Sequence, residues 1–274
     1  MHTVSTVTRN ETDLDLDELY ALADPYETET GEIEVPELSQ LMDEQFITEI
    51  LLELKSGKEA TAWVCAGGPA SGADLLVAKI YRPIDERGFK NDAVYQEGRW
   101  GGDKRIRRAF EQKSRVGREA QFSSWLGHEY RTLTLLHEAG ADVPQPIAKG
   151  ERAILMEYVG DESGPAPLLK DVRLDGDDAR RLFDRLLWNV ETFLTCDRVH
   201  GDLSPFNILF WEGEAIVIDF PQAVEPEVNR NAYTLLERDL ANLCTHFRRF
   251  GIRADPGRIT ADMWMRYTFR DMRM

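Results

Sequence analysis

Apolar positions along the chain change their period several times, and each change marks an element. Leu75 to Tyr81, LLVAKIY, is a run of strand formers closed by Arg82-Pro83 and reads as a strand. From Arg118 to His137, Phe122, Leu126, Tyr130, Leu133 and Leu136 recur at helical spacing, and Ala139-Gly140 supplies a stop, so a helix is expected. VPQPI (143–147) reads as an extended connector, and AILMEYV (153–159) as a buried strand that runs into Gly160 and a polar linker. The stripe Leu182, Phe183, Leu186, Leu187, Val190, Phe193 and Leu194 predicts a second helix, with Asp177 as its cap. NILFWEGEAIVID predicts a hairpin turning at Glu212-Gly213, followed by a helical region from about Ala232. Ahead of all these, Leu41, Phe46, Ile50, Leu51 and Leu54 lie near helical spacing, which predicts a helix leading into a strand. A short amphipathic helix is expected around Leu14 to Leu22. A strand-rich half is thus followed by a helical half.

Composition adds bounds. With 274 residues, 42% of them hydrophobic, the chain can build one or two domains around a real core. Cys65, Cys196 and Cys244 are odd in number, far apart and without metal-ligand spacing, which argues for core roles in a reducing compartment. No stretch resembles a signal peptide or a membrane span, so a cytoplasmic protein with no membrane partner is expected.

The net charge of −16 is concentrated at one end: residues 1–54 hold fifteen Asp or Glu and a single Arg. Between Arg82 and Arg118 the sign reverses, with eleven Lys or Arg against six Asp or Glu. Two readings stay open. Either the acidic tail and the charged loop are simply solvated, or the acidic arm folds against the basic stretch and competes there with an anionic partner.

The densest chemistry lies in VHGDLSPFNILF (199–210) and VIDFPQ (217–222). Phosphoryl transfer from ATP requires metal ions held on the phosphates and a carboxylate near the attacking oxygen. Asp202 can face the acceptor, Asn207 can turn back to offer its carbonyl oxygen to Mg²⁺, and Asp219 can supply a second metal contact. His200 is expected to hydrogen-bond the loop backbone. Upstream, Lys79 alternates with Ala78 and Ile80 along its strand, and Glu129 lies on the expected core face of its helix, so the two are candidate partners of each other and of phosphate. LKSGKEATAWV (54–64) is neither a Walker A loop nor a three-glycine loop.

These residues together resemble the RIO family of atypical protein kinases. The likeness covers roughly Leu54 to Phe250 and is carried by SGKEA (56–60), VAKIYRP (77–83), HEYRTLTLLHEAGADVPQPI (128–147), MEYVG (156–160), HGDLSPFN (200–207) and IDFPQ (218–222). It is most similar to the branch without an N-terminal winged helix. The resemblance implies an α+β, bilobal, protein-kinase-like fold: an acidic, weakly ordered arm over 1–36, an N-lobe over 37–160 with an antiparallel sheet, one main helix and a basic insertion near 83–117, and a shortened helical C-lobe over 161–274. ATP with Mg²⁺ or Mn²⁺ is expected between the lobes. Ser56, Gly57, Lys58 and Lys79 would bind phosphates, Glu157 and Val159 would meet adenine through their backbone, and Glu129 would pair with Lys79. Asp202 would be catalytic, with Asn207 and Asp219 on the metal.

Members of that family are described as serine/threonine kinases that autophosphorylate, and as ATPases in small ribosomal subunit maturation, in places through a phospho-aspartate at the metal Asp. The acceptors implied here are a protein Ser or Thr, Ser114 within the basic insertion, and Asp219 itself. RNA or a ribosomal particle is the partner implied for the basic segment 82–118. Two features depart from ordinary protein kinases: Gly201 replaces the Arg of HRD, and only 55 residues follow Asp219, without an APE motif. Two rival functions remain, an ATP-driven assembly factor and a small-molecule kinase of the aminoglycoside phosphotransferase type. Against the second stand Ser204 and Phe206, where that group usually has His and Gly.

Overall fold

The computed structural model describes residues 33–57, 60–82, 115–161 and 163–269, with side chains from residue 122 onward in the first long helix. Residues 1–32 of the acidic arm, where a helix is expected near 14–22, Lys58, Ser114 and nearly all of the basic insertion lie outside those residues. The described chain packs as two units, one from 33–82 with 146–158, the other from 115–145 with 159–269.

The first unit is a five-stranded antiparallel sheet in the order β1-β2-β3-β5-β4. Its strands are β1 (Ile47–Ser56), β2 (Ala60–Gly67), β3 (Leu75–Tyr81), β4 (Pro146–Lys149) and β5 (Ala153–Glu157). A one-turn helix, α1 (Ser39–Asp43), precedes β1. Leu38, Leu41, Ile47, Ile50, Trp63, Cys65, Leu76, Ala78 and Leu155 form one buried cluster, so β3 sends Ala78 and Ile80 into this core while Lys79 takes the opposite face. Across that face Lys79 is in register with Ala62 and with the buried Ile154.

The helix expected between Leu38 and Leu54 is corrected: it ends at Asp43, Gln45 turns the chain with φ +62°, and Ile50, Leu51 and Leu54 belong to β1. The cause is visible in the pairing of β1 with β2, whose register shifts between Ile47 and Glu49 and again between Ile50 and Leu52. The irregularity buries Ile47 and Ile50 three positions apart, and that spacing imitates a helix.

The second unit holds α2 (Arg115–Glu138), a two-residue ribbon of β6 (Gly160–Asp161) and β7 (Gly164–Pro165), α3 (Gly176–Thr195), the hairpin β8 (Ile208–Trp211) and β9 (Glu214–Val217), then α4 (Ala232–Phe247) and α5 (Pro256–Thr268). Gly140 closes α2 in the left-handed region (φ +79°), a conformation open to glycine. The cap of α3 is Asp175, which accepts from the N–H groups of Asp177 (3.0 Å) and Asp178 (2.8 Å), so Asp177 lies inside the first turn instead. Phe183 and Phe247 meet edge to face at 5.3 Å between α3 and α4. Cys65 and Cys244 are buried, and burial pushes the Cys65 thiol up to about 12, whereas Cys196 is half-buried at the end of α3. No helix among the described residues is long and apolar enough to cross a membrane.

One polar cluster steadies the hairpin. Arg185 of α3 grips the Asp142 carboxylate through two bonds (2.6 and 2.7 Å) and Asn189 adds a third (2.8 Å), while the Asp142 carbonyl accepts the N–H of Val217 at 2.8 Å. The carboxylate so close to Arg185 raises that guanidinium further. The strand that leads to Asp219 is therefore fastened to a bidentate ion pair.

Candidate active site

The β8/β9 hairpin brings Asn207 and Asp219 together. Its turn residues Glu212 (φ +50°) and Gly213 (φ +86°) both lie in the left-handed region, the signature of a two-residue primed turn. From there the strands pair in strict register, Trp211 with Glu214 through Ile208 with Val217, and Ile218 N–H then donates to the Asn207 carbonyl at 3.0 Å. Asp219 is the next residue, so a separation of twelve in sequence collapses at the open end of one hairpin.

Asn207 in turn fastens Asp202. Its Nδ2 donates to the Asp202 backbone carbonyl at 2.9 Å and to the Asp202 carboxylate at 3.3 Å. With the amide nitrogen so used, Oδ1 faces away and accepts no hydrogen bond among the described residues. Asp202 is half-buried, and its carboxyl lies above the ordinary aspartate range because burial disfavours its charge; Asp219 pushes the same way, while Arg238 and the Asn207 amide pull it back. Asp202, Asn207 and Asp219 thus present two carboxylates and an amide oxygen on adjoining chain. All are hard oxygen donors, the set that suits Mg²⁺ or Mn²⁺ sharing its shell with phosphate and water. Among the described residues no group of three or more His, Cys, Asp or Glu forms a closed protein cage for a metal.

His200 acts on the loop as expected. Its Nδ1 accepts the Asp202 N–H at 3.2 Å, so the ring proton sits on Nε2, 3.2 Å from the Ile218 carbonyl. One imidazole therefore links the backbones on which Asp202 and Asp219 stand.

Sequence reasoning missed what holds this loop from behind. α4 presents Arg238, Asp239 and Asn242 to it: Asp239 accepts the N–H of Gly201 (2.8 Å) and of Leu203 (2.9 Å), Asn242 donates to the Leu203 carbonyl (2.9 Å), and Arg238 donates to the Gly201 carbonyl. Gly201, which stands where ordinary kinases have Arg, has φ +80°, and its two backbone groups meet Asp239 and Arg238. Asp239 is 1% exposed, and burial pushes its carboxyl up to about 7 against the opposing pull of those N–H donors and Arg238. The overlooked signal is an Asp within the apolar stripe Leu235, Leu236, Leu240 and Leu243 of an amphipathic helix, where a carboxylate needs donors.

Asp219 itself has φ +74°. A non-glycine residue there carries a backbone cost of about 1 kcal/mol, although Asp tolerates it better than most. Asp219→Gly is therefore expected to melt higher than Asp219→Ala, by about 1 kcal/mol of stability in denaturant titrations, with both losing metal-dependent activity. Equal stabilities would show that the conformation is not strained.

The remaining candidates divide between the units. Lys79 is half-buried on β3, with Nζ 4.9 Å from the Tyr81 ring. Ser56 Oγ accepts from Arg82 at 3.0 Å and lies 3.3 Å from Thr61 Oγ1, and Gly57 N–H donates to the Ala60 carbonyl at 2.9 Å, closing the β1/β2 turn. Glu157 is the exposed end of β5, and the Val159 carbonyl accepts Ala166 N–H at 2.9 Å. In the second unit Glu129 is buried on α2 at 3% exposure, and its neighbour His128 bonds to the Ala223 carbonyl at 3.1 Å, four residues beyond Asp219.

Comparison with known proteins fits this geometry. The RIO domain pattern matches residues 70–259. Over 189 residues the chain is 32% identical to the RIO-type serine/threonine-protein kinase Rio1 of Thermoplasma acidophilum, covering 69% of this chain and 93% of that one. Its likeness to Rio1 of Haloferax volcanii is 34% over 202 residues (74% and 64% of the two chains), and to human RIO1 30% over 216 residues (78% and 36%). It therefore spans most of one archaeal relative and about a third of the human one. Among solved structures, the Rio2 kinase of Chaetomium thermophilum in an ADP/Mg²⁺-phosphoaspartate complex superposes with a TM-score of 0.61 at 23% identity, covering 83% of this chain and 64% of that one. That likeness establishes the α+β kinase-like fold.

Proposed function

The chain belongs to the RIO domain family, and from that premise we propose that it is a RIO-type serine/threonine protein kinase that moves the γ-phosphate of ATP to protein hydroxyls, its own included. The observation that supports this most directly is the Asn207 amide bonded to both the backbone and the carboxylate of Asp202, which keeps a base and a metal-binding oxygen in one rigid loop.

In this reading Asp202 orients the acceptor hydroxyl and takes its proton as the new O–P bond forms and the bond from the γ-phosphorus to the β-phosphate oxygen breaks. A carboxyl raised above the ordinary range is a better proton acceptor for an alcohol than a free aspartate. Asn207 Oδ1 and the Asp219 carboxylate hold Mg²⁺ or Mn²⁺, which supplies charge neutralisation on the transferring phosphates. Lys79 holds phosphate together with Ser56, Gly57 and Lys58, Glu129 serves as the lysine's counter-charge, and the backbones at Glu157 and Val159 receive adenine. The lobes expected from the sequence, 37–160 and 161–274 after the arm 1–36, belong to the same proposal.

The Rio2 kinase of Chaetomium thermophilum forms a phosphoaspartate complex with ADP and Mg²⁺. Asp219 is the residue of this chain that could carry such a phosphate, which keeps an ATPase cycle as the second reading. Ser114 as acceptor, and RNA or a ribosomal particle at the basic segment, remain proposals on sequence grounds alone.

The site is tested by nucleotide binding. Lys79→Met is expected to weaken MgATP binding by about tenfold or more, the scale of one lost charge-assisted contact. Chelation of Mg²⁺ should lower wild-type affinity but change Asp219→Asn much less. Titration calorimetry reads both, and equal sensitivity to chelation in the two proteins would remove Asp219 from the metal.

A further inference from the structure

One side chain of the loop is left unused by the transfer chemistry. Phe206, four residues after Asp202 and one before Asn207, is 61% exposed, while its neighbours Leu203, Pro205 and Ile208 are buried. Ser204 to Asn207 form a tight turn closed by Asn207 N–H to the Ser204 carbonyl at 2.9 Å, with the buried Pro205 second and Phe206 third.

The turn has firm backing. Lys170 N–H donates to the Pro205 carbonyl at 3.2 Å, and Phe210 N–H to the Pro167 carbonyl at 2.9 Å. The Arg249 guanidinium reaches the carbonyls of Leu169 (3.5 Å), Lys170 (3.3 Å) and Val172 (3.3 Å). Lys170 Nζ stands 5.6 Å from the Phe206 ring centroid while held by the Asp171 carboxylate at 2.6 Å. The ring is thus an apolar ledge on a braced support, with the cation beside it already matched by a carboxylate.

We infer that Phe206, backed by Lys170 and Asp171, is an acceptor-positioning ledge: an apolar or aromatic side chain next to the phosphorylated Ser or Thr of an extended protein segment packs on the ring. This rests on the kinase reading of the same loop. Phe206 directly precedes Asn207, whose amide bonds the Asp202 carboxylate at 3.3 Å, so the ring stands on the same short loop as the base, and covering most of an exposed aromatic ring favours a complex on the order of tenfold. The occupant is a peptide and not a nucleic acid strand. Aromatic ledges do stack bases, but there they sit in basic grooves that leave cations free for phosphate, whereas the lysine beside this ring is held by Asp171 and Arg249 is turned to backbone carbonyls.

The test uses synthetic peptides with a central Ser in an Ala background, with or without Leu or Phe at one flanking position, each assayed with labelled ATP and Mg²⁺. Wild type should prefer the apolar-flanked peptide by about tenfold in kcat/KM; Phe206→Ala should bring the ratio within about twofold, and Phe206→Leu should keep an intermediate value. The ratio is internal to each protein, so a general loss of activity cancels. No preference in wild type, the same preference in Phe206→Ala, or label on the protein but on no peptide overturns the ledge alone. A Phe206-dependent inhibition by oligouridine would also overturn it, by assigning the ring to bases. No transfer to any hydroxyl, in peptide or protein, fells the kinase reading and the ledge with it.

Discussion

Asp202→Asn is expected to lower phosphoryl transfer to hydroxyl acceptors by about 10²–10⁴-fold, the usual contribution of a positioned general base. The same substitution should leave the melting temperature unchanged or raise it. Burial holds the Asp202 carboxyl above its ordinary range, so the folded protein disfavours the charge that the amide removes. Loss of activity with retained or increased stability separates a chemical role from a structural one. A variant that is inactive because it melts lower would instead make Asp202 a packing residue. Steady-state transfer rates beside thermal denaturation decide between them.

Asp239→Ala should act in the opposite way, through the fold of the loop. It leaves the N–H groups of Gly201 and Leu203 without their acceptor in a buried site, at about 1–3 kcal/mol for each, so about 2–6 kcal/mol of stability is expected to go, together with activity. pH dependence gives a second readout through Asp239→Asn. With the carboxyl pushed up to about 7 from an ordinary 3.8, the folded state holds a proton that the unfolded state has released. The group's contribution is therefore fully present below pH 3.8 and is lost as pH rises to about 7. The melting temperature of wild type minus that of Asp239→Asn should fall across that window, and a difference flat in pH would mean the carboxyl is not shifted.

What was legible in the sequence was local. LLVAKIY reads as a strand because its pattern is written within seven residues, and Glu212-Gly213 reads as a turn because few dipeptides adopt two left-handed conformations in a row. That hairpin, once read, places Asn207 beside Asp219 by register alone. His200, bonded to both loops, was likewise within reach, since its two partners lie two and eighteen residues away in chain already assigned to the site.

What stayed hidden depends on distant partners or on irregular spacing. The strand expected to follow the first helix begins earlier than its pattern suggested, because register shifts in β1 bury Ile47 and Ile50 at a helix-like interval, and that misled the pattern up to Leu54. Asp175 and Asp177 are equally good cap types; only the observed bonds to the N–H groups of Asp177 and Asp178 select the first. The clamp of Arg238, Asp239 and Asn242 reaches back 36 to 39 residues to Gly201 and Leu203, and nothing in a periodic stripe of leucines says where its one aspartate finds donors. Phe206 could be seen in the sequence as a departure from small-molecule kinases, but its exposure on a braced turn is a property of packing.

The measurement to make first is a time course with γ-labelled ATP and Mg²⁺, following free phosphate and protein-bound label together in wild type, Asp202→Ala and Asp219→Ala. A protein kinase should yield acid-stable label on Ser or Thr that accumulates in wild type and disappears in Asp202→Ala. Free phosphate released with only a trace of base-labile label, lost in Asp219→Ala, would mean that the phosphate passes to Asp219 and then to water, and that the chain is an ATPase.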